Sequence, residues 1–185
     1  MSINQEFKKR FDELADGYYE IRDHVSAFQE DRENLKVKLQ IEIDRHEPWR
    51  TSLMDELGQI TSNFCDQEKA IHKSYIRQTP YFEHSYQAPY YRQIIDKPNG
   101  YAGDAEMMQI IYRNDFEGET PFGMFLHKQA TSTAACQAVR NRKDFLVDQI
   151  RKLESGKVLS LAAGPAEEIM AFLSPKCGGG GKLPI

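Results

Sequence analysis

Residues 157–169 read KVLSLAAGPAEEI, and the fold expected for the chain turns on them. Lys157 to Leu161 is an apolar run too short for a helix and suited to a buried parallel strand. AAGPAEEI then turns the chain into a helix. Strand, small-residue turn and helix is how the first unit of a nucleotide-binding α/β sheet begins. Small residues let the backbone approach a ligand, and the helix N-terminus presents free amides. Only Gly164 is glycine here; Ser160, Ala162 and Ala166 stand where such loops carry an acidic residue or further glycines. The same pattern fits an ordinary strand-turn-helix joint equally well.

Upstream, residues 121–156 place Phe125, Leu126, Ala130, Ala134, Ala138, Phe145, Ile150 and Leu153 on helical faces, with Gly156 as a C-terminal stop. One helix or two satisfies this spacing. Asn114 to Thr120 is polar with a central glycine, which predicts a loop, and Pro121 is suited to the first position of the next helix. Asp104 stands as an N-cap before Met107, Met108, Ile111 and Tyr112, so a short helix should begin there. Residues 81–103 are dense in tyrosine, proline and glycine and predict an ordered, irregular segment.

Further back, Phe7, Phe11, Leu14, Tyr18, Ile21, Val25 and Phe28 alternate spacings of four and three, and Leu35, Leu39 and Ile43 carry the stripe on. This predicts one long amphipathic helix, stopped or kinked at Pro48, which lacks a backbone donor. A second stripe, Trp49 to Tyr75, predicts a second helix reaching the Thr79–Pro80 stop. The pair would form a hairpin or a bent rod. Burial of aromatics accounts for both stripes without a ligand. The alternative is a helical interaction module that pairs with a partner or forms a homodimer through these N-terminal helices.

The 185 residues carry a net charge of −4, with 40% hydrophobic and 28% charged residues, so no broad attraction to nucleic acid or anionic lipid is expected. A mean hydropathy of −0.64 is polar for a globule and ordinary for long solvated helices. Cys65, Cys136 and Cys177 are odd in number and lack paired spacing, which predicts reduced, buried or incidental thiols rather than zinc ligands or a redox dithiol. His24, His46, His72 and His84 match no metal-ligand spacing and are expected at the surface or in packing. No basic and apolar leader and no membrane-spanning run is present, so a cytoplasmic protein is expected.

Several unusual words occur in one order: KPNGYAGDAEMMQIIY at 97–112, PFG at 121–123, AVRNRKDFLVDQI at 138–150 and GKVLSLAAGPAEEI at 156–169. In these the chain, from about Pro89 to Ile169, resembles the class I S-adenosylmethionine-dependent methyltransferases of the extracellular-factor 3-hydroxypalmitic acid methyl ester biosynthesis type. The resemblance implies a helical N-terminal region (1–79), a helical and loop segment (80–156) and the first strand-turn-helix of a Rossmann-like methyltransferase sheet (157–173), a mainly α chain in all. It also implies a quorum-sensing role and a fatty-acid or other small-molecule acceptor.

By the same resemblance, S-adenosylmethionine would lie over Ala162, Ala163 and Gly164. Tyr101, Gly103 and Asp104 of the GYAGD word would close the site. Asp104 could pair with the cofactor's ammonium or be only a helix cap, and Tyr101 could cover the site or only pack. Arg140 and Arg142, two apart on a helix, point to different faces, so at most one reaches a carboxylate. Met107, Met108, Phe122, Met124 and Phe125 could line an acyl channel or form core. Residues 174–185 hold four consecutive glycines and are expected to be a flexible tail. The strands that complete such a sheet are expected to be missing, as in a truncated reading frame, leaving the fragment inactive alone. A different nucleotide-binding α/β enzyme is the remaining alternative.

Overall fold

The computed structural model describes residues 2–153, 157–161 and 164–174. Among these residues it is mainly helical and holds no strand. The first helix, α1 (Gln5–Ser26), begins at Asn4, whose side chain accepts from the amide of Phe7. It ends well before the predicted stop. The chain reverses over Ala27 to Asp31, and α2 (Arg32–Thr61) opens where the Asp31 side chain accepts from the amides of Glu33 and Asn34.

The expected single helix is therefore an antiparallel hairpin whose turn precedes Pro48 by some seventeen positions. Arg10 meets Glu56, Trp49 lies over Gly17 and His24 faces Glu42, so the paired numbers rise on one helix as they fall on the other. Each arm carries the same three-four spacing, so periodicity ran through the reversal without a break. Pro48 sits inside α2 and ends nothing. It forfeits one backbone bond and costs about 3 kcal/mol in an isolated helix. Leu39 and Ile43 before it and Leu53 and Leu57 after it are all buried in one core, and that burial holds α2 together across the defect.

The second stripe also divides. After Thr61 comes a short break, and α3 (Asp66–Arg77) follows, with the Cys65 amide donating to the Glu68 carboxylate. Residues 81–103, expected to be irregular, contain two short helices, α4 (Pro80–Ser85) and α5 (Pro89–Asp96). Each starts on a proline, whose fixed φ suits the first turn and whose missing donor costs nothing there. Lys97, in the left-handed region at φ 45°, closes α5. The N-cap at Asp104 and the loop from Asn114 to Thr120 form as predicted, bounding α6 (Ala105–Arg113) and α7 (Pro121–Thr131). The long segment after Pro121 is two helices, α7 and α8 (Ala134–Arg151), so α8 ends at Arg151; Gly156 lies outside the described residues.

Nine of the eleven residues of α7 are buried, so it is the axis of the molecule rather than an amphipathic cover. It packs on α1, α2, α4, α5 and α8. Gly123 admits this packing, because a Cβ there would lie 2.6 Å from the carbonyl oxygen of Gln87. The core runs from Phe7 to Leu126, so one apolar interior spans both sides of Thr79. The α1 stripe is spent within it, leaving Val37, Ile41 and Met54 as the exposed large apolar side chains of the first two helices.

The segment 157–161 is not a strand. No neighbouring strand exists among the described residues to take its ladder bonds, and Leu159 and Leu161 are about four-fifths exposed (81% and 80%). A helix does follow the turn, α9 (Glu167–Leu173), which packs on α8. Residues 174–185, expected as a flexible tail, lie outside the described residues beyond Ser174. No described helix is long and apolar enough to cross a membrane.

Candidate functional site

Four segments close around a cleft of about 510 Å³: the 101–103 loop, α6, α8 and residues 160–168. Tyr101 and Gly103 form one lip, and Ser160, Leu161, Gly164 and Pro165 form the other. Met108 and Tyr112 of α6 supply an apolar and aromatic floor, with Arg142, Lys143 and Leu146 of α8 at the side. Glu168 faces in from α9, within reach of the Ser160 hydroxyl, which donates to its Oε1 at 3.4 Å. Both signs of charge therefore border one partly apolar space.

Of the residues expected to hold a cofactor, Tyr101, Gly103 and Gly164 come together here although about sixty positions separate them in the chain. Tyr101 is 59% exposed, so its ring is free to cover the opening. Ala162 and Ala163 lie outside the described residues. Gly164 adopts φ 57°, the left-handed region where glycine carries no steric penalty, while Ala166 at φ 53° is strained and turns the chain into α9.

Asp104 is buried behind the lip rather than in it. One carboxylate oxygen accepts from the Met107 amide at 2.8 Å, and the other accepts from Gln93 at 2.8 Å and Asn99 at 2.7 Å. These donors, the Met107 amide first, hold its carboxyl below the usual range. Its role in the fold is to cap α6 and tie the 99–104 loop to α5.

The two arginines of α8 separate as their spacing requires. Arg140 donates to the carbonyl oxygens of Thr131 at 2.8 Å and Ile111 at 3.0 Å, satisfying the exposed ends of α7 and α6. Arg142 remains at the cleft. Of the five residues proposed for an acyl channel, Met107, Phe122, Met124 and Phe125 are core, and only Met108 reaches the cleft.

His24 is exposed, and the other histidines are packed to different degrees. His72 accepts from the Asn4 amide through Nε2 at 3.0 Å and donates from Nδ1 to the Glu68 carbonyl at 2.6 Å. His24 and His46 flank the buried Glu42, which also accepts from Arg45. His84 lies against Arg22, and burial together with that guanidinium keeps its pKa low. No motif or spacing pointed to His127, the most secluded of the five. It is fully buried in α7, its Nδ1 accepts from the Tyr90 amide at 3.2 Å, and its Nε2 has no partner among the described residues. Burial pushes its pKa down to about 4.

Among the described residues no group of three or more His, Cys, Asp or Glu side chains is placed to hold a metal ion. Cys65 is exposed, Cys136 is buried beside Tyr90, and Cys177 lies outside the described residues. Compared with family models, with curated proteins and with solved structures, the chain finds no match.

Proposed function

We propose that the cleft between α6, α8 and residues 160–168 receives S-adenosylmethionine, and that the chain carries the helical part and first cofactor loop of a methyltransferase forming methyl esters on a hydroxy fatty acid. One observation carries this reading. The 101–103 lip and the Gly164 turn, which the sequence resemblance pairs, border the same cleft.

The lining suits the ligand's chemistry. Arg142 and Lys143 offer cations to a carboxylate, Glu168 offers an anion to an ammonium, and Tyr101 and Tyr112 offer faces to a purine. Methyl transfer to a carboxylate forms an oxygen–carbon bond as the sulfur–carbon bond breaks, releasing a neutral thioether, so no strong base is required. The protein's share is alignment and removal of water.

Such a sheet also needs neighbouring strands and an acidic residue for the ribose, and the described residues supply neither. The exposed Val158, Leu159 and Leu161 fit a segment that becomes a strand only beside others. We therefore assign the cleft one flank of a cofactor site and expect weak binding and no turnover from the chain alone.

Titration of the ¹⁵N-labelled chain with S-adenosylhomocysteine tests this. Saturable shifts at the amides of Tyr101, Gly103, Ser160 and Gly164, weakened by Arg142→Ala, are expected. Shifts confined to other residues, or none at millimolar ligand, would overturn the assignment. Tight stoichiometric binding would instead show that the flank is sufficient by itself.

A further inference from the structure

A second cavity, of about 360 Å³, opens to solvent between α1, α2, α3, α4 and α5, and shares no lining residue with the cleft. Five of its twelve lining residues are aromatic. Phe7, Phe11, Tyr18, Tyr81 and Tyr91 present rings to it, with Phe11 and Tyr81 edge to face at 5.7 Å and Tyr18 and Tyr81 tilted at 5.4 Å. Into this apolar space comes one cation. The Arg50 side chain is only 14% exposed, and a single nitrogen, Nη1, donates to Glu47 at 3.1 Å. Its other polar neighbour is the Tyr18 hydroxyl, which already donates to Gln129, and its remaining donors bond no carboxylate or carbonyl oxygen among the described residues.

A guanidinium this secluded ordinarily has its fork filled. Nearby stand the hydroxyls of Tyr81 and Tyr91, which have no protein partner among the described residues and whose phenols burial pushes above their usual range, so both are donors at neutral pH. One guanidinium and two phenolic donors therefore line a single ring-walled hollow.

The rim carries an independent sign. Gly58 lies inside α2, where glycine costs helix stability, yet a Cβ there would meet nothing within 4 Å. Packing does not demand glycine at this position. What its missing side chain leaves open is the way into the cavity, beside the exposed Met54 one turn earlier.

We infer that this cavity is a binding site for a small aromatic carboxylate, its ring system among the five aromatic side chains and its carboxylate on Arg50, Tyr81 and Tyr91. The volume is at the lower end for small-molecule pockets, which suits one or two fused rings. A carboxylate accepts from a guanidinium fork and two phenols at once, whereas an amide or alcohol brings a donor where only acceptors are needed. The assignment is independent of the methyltransferase reading, since it uses none of that cleft.

Isothermal titration of the whole chain with 2-naphthoate, and with its neutral isostere 2-naphthamide, tests it. One saturable site is expected, with naphthoate bound at least about tenfold more tightly than the amide, as a charge-assisted fork implies. Arg50→Gln should bring the two ligands level. Gly58→Leu should abolish binding of both while raising the melting temperature, an outcome that separates a blocked entrance from a damaged fold. Equal affinity of acid and amide for the wild type, undiminished naphthoate binding to Gly58→Leu, or no saturable binding would each overturn the inference. Tighter binding of decanoate than of naphthoate would overturn its aromatic part.

Discussion

The hydroxyl of Tyr18 on α1 donates to Oε1 of Gln129 on α7 at 2.6 Å, joining two buried side chains 111 positions apart. Among the described residues the amide nitrogen of Gln129 has no partner, and this hydroxyl is the one group that satisfies its side chain. Removing it leaves a buried amide with neither end paired. Tyr18→Phe should destabilise the protein by about 1–3 kcal/mol, measured by urea unfolding. Adding Gln129→Leu should recover most of the loss, because both polar partners are then gone. A single variant as stable as the wild type would show that the amide is satisfied in another way.

Acid should weaken the fold through His127. Its pKa falls to about 4 in the folded state from 6.5, so between these values the unfolded chain binds the extra proton. The stability contributed by this neutral ring is complete above pH 6.5 and is lost as pH drops toward 4, on the order of 2–3 kcal/mol. In His127→Asn, whose side-chain oxygen can accept from the Tyr90 amide in place of Nδ1, the unfolding free energy should vary less over this window. An unchanged slope would place the acid sensitivity elsewhere.

Gly17 is fixed by the indole of Trp49. A Cβ at position 17 would lie 2.3 Å from one ring carbon and 2.6 Å from another, and the ring is itself packed edge-on against Tyr18. Gly17→Ala gains about 1 kcal/mol of helix propensity but must displace the ring, and overpacking of this kind costs about 1–3 kcal/mol. Net destabilisation is expected in thermal unfolding. It should reverse sign when Trp49→Leu makes room, which would not happen if the glycine served the backbone alone.

Loss of the Asp104 carboxylate should loosen a defined region. Asp104→Ala removes the acceptor for the Met107 amide, Gln93 and Asn99, so amide exchange should quicken at the start of α6 and through 99–104. The hairpin of α1 and α2 should keep its protection. Since Tyr101 and Gly103 ride on this loop, S-adenosylhomocysteine shifts at the cleft should shrink as well. Unaltered exchange at Met107 would contradict the capping role.

Arg140 offers a test of helix-end packing. Its Nη1 serves the carbonyl oxygens of both Ile111 and Thr131, which a lysine ammonium on a different stem does not reproduce in the same geometry. Arg140→Lys and Arg140→Ala should therefore both destabilise, by about 1–2 kcal/mol in urea unfolding. Full retention of stability in the lysine variant would mean that charge rather than the planar fork matters.

Much that was legible in the sequence is local. Asp104 as a cap, the polar loop from Asn114 to Thr120 and Pro121 at a helix start all formed, because each depends on a side chain and a backbone group within three or four residues. The same locality hid the reversal at Ala27 to Asp31. Two antiparallel arms carry one periodicity, and only the Asp31 cap, unremarkable among so many acidic residues, marks the break. In the candidate site, Tyr101, Gly103 and Gly164 could be named from their words and Arg142 as one of two alternatives, whereas Lys143 and Glu168 became visible only as walls of a common space.

By itself the sequence determined that the chain is built of amphipathic helices and where several of them start, since propensity, capping and proline geometry act over a single turn. Tertiary structure alone decided that Pro48 would be carried inside α2, that His127 would be sealed in α7, and that 157–161 would lie exposed without a neighbour. Those outcomes depend on which faces find apolar surface to bury and which backbone groups find distant partners, and such sums over many weak contacts are written in no one segment.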